Sequence, residues 1–186
     1  MRQKKLLSHF FMFSDIMKTV IEMKEEILKK LDDLSIPYEK VEHPSIDTME
    51  GLAGVEEKLG HRIAKNLFLC NRQKTKFYLL LMPGDKKFKT KELSKQINSA
   101  RLSFGSDEDM ERLLGCKPGS ASILGLFNDV NHQVRLLIDD DLLKDDYFCM
   151  HPCDNTMTLN IKKEDLFGIF LPSVHVDYTA VHLVGE

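Results

Sequence analysis

The stretch from Asn66 to Pro83, NLFLCNRQKTKFYLLLMP, most narrows the folds open to this chain. Two runs dense in aromatic and aliphatic residues flank the polar Arg72-Gln73-Lys74-Thr75, the pattern of two strands joined in hairpin style. A different period precedes them. From Ile16 to Leu34, apolar residues Ile16, Val20, Met23, Ile27, Leu28, Leu31 and Leu34 recur at helical spacings, with Glu25, Glu26, Lys29 and Lys30 between. This predicts an amphipathic helix, stopped at Ile36-Pro37.

The remaining elements alternate irregularly. YEKVEH alternates as a short strand, and Thr48 is a candidate cap for a helix carrying Leu52, Val55 and Leu59 that Gly60 ends. A helix is expected over Lys89 to Ile97, then a strand in ARLSFGS. Ser106 should cap a helix running to Leu114, with Asp107, Glu108 and Asp109 where the helix dipole favours negative charge. VRLLIDDDLL, YFCMH, TMTLNI and HVDYTAVHLV complete the strands, with a helix near Lys163 to Phe170. Hairpin-length turns between strands favour an α+β single domain whose mixed, mostly antiparallel sheet is flanked by helices, rather than repeated βαβ units. With 186 residues, the chain has the size of one domain.

Composition restricts function. A net charge of -3 gives no general attraction to nucleic acid, so an RNA partner would have to be met by a local basic face. Lys86, Lys87, Lys89, Lys91 and Lys95 could form one, or simply a solvated helix face. Four scattered cysteines suggest reduced thiols of a cytoplasmic protein rather than a disulfide framework. No apolar run is long enough for a membrane span. The basic, then apolar start resembles a secretory signal, but His9 interrupts it and no small-residue cleavage site follows. Residues 1–22 are therefore expected to be an extension set apart from a domain spanning 23–186.

Neither common phosphate-binding fingerprint, G-x-x-x-x-G-K-[ST] or G-x-G-x-x-G, is present. Cys149, His151 and Cys153 alternate and could face a zinc ion, yet Pro152 disturbs the alternation and no fourth ligand is evident, so neither metal nor cofactor is expected. A nucleophilic cysteine paired with His151 finds no support in the spacing. Lys65, at the entrance of a strand, either points into a cleft or is solvated. His151 and Asn155 flank the turn HPCDNT and either serve a site or satisfy that turn. PGSAS, residues 118–122, either offers successive backbone N–H groups to a ligand or is a tight turn around a left-handed Gly119.

Four blocks in order, VEHPSIDTMEG, AKNLFLCNRQKTKFYLLLMPGDKKFKTKEL, LLGCKPGSASILGLFND and FCMHPCDNTMTLNIKKEDLFGIF, resemble the YbaK/ProX family of aminoacyl-tRNA editing proteins. That family is related to the editing domain inserted in bacterial prolyl-tRNA synthetases, and the resemblance is nearest to the freestanding ProX branch. It implies a curved sheet and trans-editing deacylation of tRNA(Pro) mischarged with alanine, with prolyl-tRNA synthetase as a further partner. It also implies the site: Lys65 near the substrate's 3′ terminus, the Gly119, Ser120, Ala121 and Ser122 loop around the aminoacyl group, and His151. Asn66, Thr48, Asn155 and Thr156 are implied as substrate-binding companions. One position departs from the family loop G-x-x-x-P, because Ile123 stands where proline is expected, removing a φ constraint. That departure leaves open a non-catalytic sensor of aminoacyl-tRNA or amino acid, or a deacylase of another charged tRNA.

Overall fold

The computed structural model describes residues 23–185, Asp47 and Met49 excepted; the expected extension at 1–22, and with it the part of the expected amphipathic helix before Met23, lies outside the described residues. Helix α1 covers residues 23–33 and buries Ile27 and Leu31 completely. Its end is set by Ser35 at φ 56, which lets the Ile36 N–H reach back to the Leu31 carbonyl at 3.0 Å, closing the last turn ahead of Pro37.

The chain then forms β1 (Tyr38–Glu42), a 3-10 turn (Glu50–Leu52), α2 (Ala53–Leu59), β2 (Ala64–Asn71), β3 (Phe77–Pro83), α3 (Thr90–Gln96), β4 (Leu102–Phe104) and α4 (Asp107–Leu114). After a 3-10 helix (Ile123–Asn128) come β5 (Val134–Asp139), β6 (Tyr147–Met150) and β7 (Met157–Lys162). A helical run α5 follows, made of Lys163–Asp165, a π-helical stretch Leu166–Phe170 and Leu171–Ser173, and β8 (Tyr178–Val181) closes the order.

These strands build two sheets rather than one. Antiparallel β1-β7-β6 forms the smaller; the larger has order β4-β2-β3-β5-β8, antiparallel across β4, β2 and β3 and parallel across β3, β5 and β8. A bridge between Ile63 and Cys149 links them. The uninterrupted apolar run of β3 follows from burial on both faces. Phe77, Leu79 and Leu81 enter the main core with α1, α4 and the smaller sheet, while Tyr78, Leu80 and Met82 meet Leu93 of α3 behind it. The hairpin between β2 and β3 is organised by Asn71, whose side-chain oxygen accepts the N–H groups of Thr75 and Lys76 at 2.9 and 3.1 Å.

Two expected strands are shorter than their sequence pattern. β5 stops at Asp139 because the following acidic residues are engaged: Lys86 Nζ donates to both Asp139 oxygens at 3.0 and 2.9 Å, pairs with Asp141 at 2.7 Å, and donates to the Leu183 carbonyl at 2.6 Å. The last strand stops at Val181, after which His182 pairs with Asp140 and the Val184 N–H is taken by Glu92. Burial opposes the charge of Lys86, but the hydrogen bonds to Asp141 and Asp139 outweigh it and hold its pKa above the usual lysine value. Asp139 is wholly buried. Lys86→Met would strand that carboxylate and is expected to lower unfolding free energy in urea by about 3–5 kcal/mol. Adding Asp139→Asn should restore part of the loss.

Candidate functional site

The site forms where the larger sheet is incomplete. β4 pairs with β2 only from Leu69 to Asn71, and the last backbone bond on that side runs from the Gly105 N–H to the Phe68 carbonyl at 3.0 Å. The chain then turns into α4, capped by Ser106, whose hydroxyl accepts the Asp109 N–H. The first half of β2 is thereby left with an open edge, which becomes the wall of a cavity of about 430 Å³. Ile46, Thr48 and Leu52 border it on one side, Phe104, Gly105, Asp107 and Met110 on another, and Gly119, Ala121 and His151 close it. Gly105 permits the tight fit against β2, since a Cβ there would lie 2.4 Å from the Phe68 ring.

Of the residues expected from sequence, Thr48, Lys65, Asn66, Gly119, Ala121 and His151 line this one cavity. Lys65 Nζ donates to the Lys86 carbonyl at 3.0 Å. Asn66 Nδ2 donates to the Ala64 carbonyl at 3.0 Å, while its Oδ1 is buried with no partner among the described residues. Thr48 accepts the Gly51 N–H at 3.2 Å, so it caps the 3-10 turn ahead of α2 rather than α2 itself. Ser120 and Ser122 are buried behind the loop. Ser120 donates to the Lys117 carbonyl at 2.9 Å; Ser122 donates to the His151 carbonyl and accepts the Leu124 N–H. Asn155 and Thr156 lie in the turn after His151 and do not line the cavity: Thr156 bonds the Asp154 carboxylate and accepts from Lys24 at 3.5 Å.

The loop itself is both a turn and a wall. The Ser120 N–H closes on the Lys117 carbonyl at 3.0 Å with Pro118 second and Gly119 third at φ 80, the arrangement of a type II turn. Gly119 supplies the positive φ that a residue with a Cβ would resist. His151 follows β6, and its Nδ1 donates to the Met157 carbonyl at 2.8 Å. A carbonyl can only accept, so the neutral ring keeps its lone pair on Nε2. Burial lowers the His151 pKa below its ordinary value of 6.5; the bond to Met157 opposes this, and His43, with ring centroids 5.9 Å away, adds to it. The imidazole is therefore neutral at pH 7.

Cys149 and Cys153 are held in the unreactive thiol form. Burial, reinforced by Glu56, Glu39 and Asp145, pushes Cys149 up to about 12. Cys153 is raised well above the ordinary thiol value, first by its hydrogen bond with Cys116, 3.2 Å away. Cys149 and Cys153 also enter different cores, so they do not converge with His151 as a metal site would require.

Sequence reasoning missed Phe104 and Asp107 at the rim. Asp107 shows in the sequence only as a helix-dipole carboxylate, and Phe104 only as a strand residue, although the strand-to-helix turn at Gly105-Ser106 was the available signal. The Ile123 departure also finds its account here. Ser122 is extended (φ -148, ψ 145) and Ile123 is the first residue of the 3-10 helix, a backbone that already suits proline. Ile123 instead holds the loop through a side chain with no exposure in the main core. Ile123→Pro should fold and lose only about 1 kcal/mol, since reduced chain entropy offsets lost packing. Ser122→Ala should lose more, about 1–3 kcal/mol, by leaving the buried Leu124 N–H unpaired. Thermal and urea unfolding of the two variants would check this order.

The family model for the aminoacyl-tRNA editing domain matches residues 43–169. The prolyl-tRNA editing protein ProX of Acetoanaerobium sticklandii is 32% identical over 146 residues, covering 78% of this chain and 89% of that one. Prolyl-tRNA synthetase associated domain-containing protein 1 of Mus musculus is 30% identical over 160 residues, 84% of this chain and 94% of its own. Among solved structures, a candidate trans-editing enzyme for prolyl-tRNA synthetase superposes with a TM-score of 0.64 at 16% identity, covering 87% of this chain and 97% of that one, a likeness of fold. From Ile46 to His151, the cavity-lining residues fall within the matched segment, and the chain belongs to the aminoacyl-tRNA editing domain family.

Proposed function

We propose that this protein is a trans-editing deacylase that hydrolyses alanine from mischarged tRNA(Pro), releasing free alanine and tRNA in the cytoplasm. The observation that carries the reading is a single cavity presenting a cation, a backbone loop and a neutral imidazole, with no serine or cysteine among its described lining residues. Ser120 and Ser122 are committed to the Lys117 and His151 carbonyls, and Cys149 and Cys153 are held protonated. Membership in the editing family and the likeness to ProX support the same chemistry.

An aminoacyl ester is activated already, so the protein has to place it and a water. Lys65 holds the terminal nucleotide as a point charge. The open β2 edge and the Gly119 to Ala121 backbone orient the ester and α-ammonium, and the unpartnered Asn66 Oδ1 accepts one of the substrate's N–H or O–H groups. His151 Nε2 takes a proton from water as its oxygen bonds to the acyl carbon. The carbon–oxygen bond to the ribose then breaks, and the ribose oxygen gains a proton. Ile46, Leu52, Phe68 and Met110 give the acyl pocket apolar walls suited to alanine's methyl. Because the loop keeps a proline-compatible backbone with Ile123 in place, the departure from the family loop does not favour a sensor without turnover.

Purified protein should deacylate Ala-tRNA(Pro) faster than the uncatalysed ester, and Lys65→Ala should lower that rate by about 10²-fold. A wild-type rate equal to the uncatalysed one would overturn the assignment. A second expectation concerns pH. The base form of His151 dominates above its depressed pKa, so the protein-dependent rate should be flat through neutral pH and fall only as pH drops through that depressed pKa, on the acid side of an ordinary histidine. His151→Gln should abolish that decline along with most of the rate, in single-turnover measurements corrected for hydroxide-driven hydrolysis.

A further inference from the structure

We infer that the surface running from Phe104 through Phe88 to the lysines before and along α3 is the docking face for the substrate RNA, with Phe104 stacking on its 3′-terminal base. The inference rests on the aminoacyl-tRNA reading and assigns it a surface. Between residues 86 and 101 the chain carries six cations, Lys86, Lys87, Lys89, Lys91, Lys95 and Arg101, against one carboxylate, Glu92, although its net charge is -3. Lys86 is consumed by Asp139 and Asp141, and Glu92 is turned to the Val184 N–H. Lys87, Lys89, Lys91 and Lys95 are exposed and enter no ion pair among the described residues. Elsewhere on the surface, Arg62, Lys74, Arg112 and Lys144 each have an acidic partner. Lys58, Arg72, Lys76 and Lys162 are also exposed without an ion pair among the described residues, but only in the 87–95 run do four such cations fall within nine residues, an uncompensated ribbon of the kind that binding to a polyanion requires.

The ribbon is continuous with the cavity. Lys65 binds the carbonyl of Lys86, the residue before the ribbon begins. The Phe88 ring packs edge-on against Phe104, with centroids 6.1 Å apart, and Phe104 lines the cavity mouth. Phe104 is 63% exposed, the most exposed aromatic side chain among the described large hydrophobics. An apolar ring held in water at the mouth of the cavity suits a nucleobase, whose face it can cover. The path from Phe104 to α3 thus offers a stacking platform next to the ester site and successive cations for the phosphates leading to it. Lys91 and Lys95 lie one helical turn apart and, with Lys89, border the same shallow depression on α3.

The test uses fluorescence anisotropy with two uncharged tRNA(Pro) transcripts, one ending in CCA and one truncated to CC, across a salt series. The combined Lys87→Ala, Lys89→Ala, Lys91→Ala and Lys95→Ala protein should bind the CCA transcript about 10²-fold more weakly at low salt. Its log–log salt slope should fall by about 3, from about 0.7–0.9 per lost phosphate contact. Phe104→Ala should weaken binding of the CCA transcript about tenfold and erase the preference for it over CC, whereas Phe104→Trp should keep both. Wild-type affinity and slope in the lysine variant, or an intact CCA preference in Phe104→Ala, would overturn the inference. So would tight binding of the wild type to phosphatidylserine vesicles without binding to tRNA. Because the RNA is uncharged, the readout is independent of hydrolysis. Tight lysine-dependent binding with a stable Ala-tRNA(Pro) ester would reject the deacylase and leave the surface standing, while fast deacylation at an unchanged KM in the lysine variant would do the reverse.

Discussion

The Lys86 ammonium sits at the junction on which both the fold and the site depend. It joins the loop leaving β3 to the end of β5 and to the carbonyl of Leu183, so one charge ties the ends of three neighbouring strands together. Asp139 has no exposure and would be costly to bury alone. With its side chain committed inward, Lys86 presents its carbonyl outward, where Lys65 binds it. The cation assigned to the substrate is therefore oriented by a second lysine whose own charge is already neutralised. Within one lysine-rich run, Lys86 supports the architecture and Lys87, Lys89, Lys91 and Lys95 remain exposed, a division created by topology because β5 delivers Asp139 beside only one of them.

The second fixed point is the loop at residues 117–123. Its shape comes from three local sources: the Pro118-Gly119 turn, the two hydrogen bonds of Ser122, and the core burial of Ile123. Proline at position 123 would constrain the backbone covalently. Here a buried side chain and a shared hydroxyl achieve the same conformation. Ser122 bonds the carbonyl of His151, and Cys116 packs on Cys153 just beyond it, so the loop and the histidine turn are joined at two points behind the cavity. The stiffness that positions Gly119 and Ala121 is thereby the stiffness that positions the imidazole.

Features encoded by nearby residues were legible in the sequence. Ser106 caps α4, Gly60 ends α2 in a left-handed conformation, and the polar residues after Asn71 make the hairpin, since each depends on groups a few residues apart. The parallel placement of β5 between β3 and β8 was not legible. It joins Phe77 with Val134 and Leu136 with Tyr178, and no local pattern records such distant pairings. Likewise the acidic run Asp139 to Asp141 looks like a continuation of strand until its partner Lys86 is known. Local pattern brought Lys65, Gly119 and His151 into view and family likeness added Asn66, but neither could separate cavity residues from the turn residues Asn155 and Thr156. Phe104 escaped notice because an aromatic residue in a strand ordinarily signals core, and only the early end of β4 turns it outward.

An unfinished sheet edge is usually a liability, because its polar backbone invites other chains to pair with it. Here the edge of β2 is faced by α4, Gly119 and Ala121, and Ile46, Thr48 and Leu52, which together enclose a cavity suited to a small ligand. Asn66 illustrates what this achieves. Its amide N–H₂ satisfies the Ala64 carbonyl on that edge, which fixes the side chain and leaves Oδ1 buried without a partner among the described residues. An unmet buried acceptor costs about 1–3 kcal/mol in the free protein. A substrate donor that reaches Oδ1 recovers that energy only when it is correctly seated. On the proposed reading, the same unpaired edge that weakens the sheet converts into preference for a properly placed substrate, the kind of selectivity open to a site that works by placement.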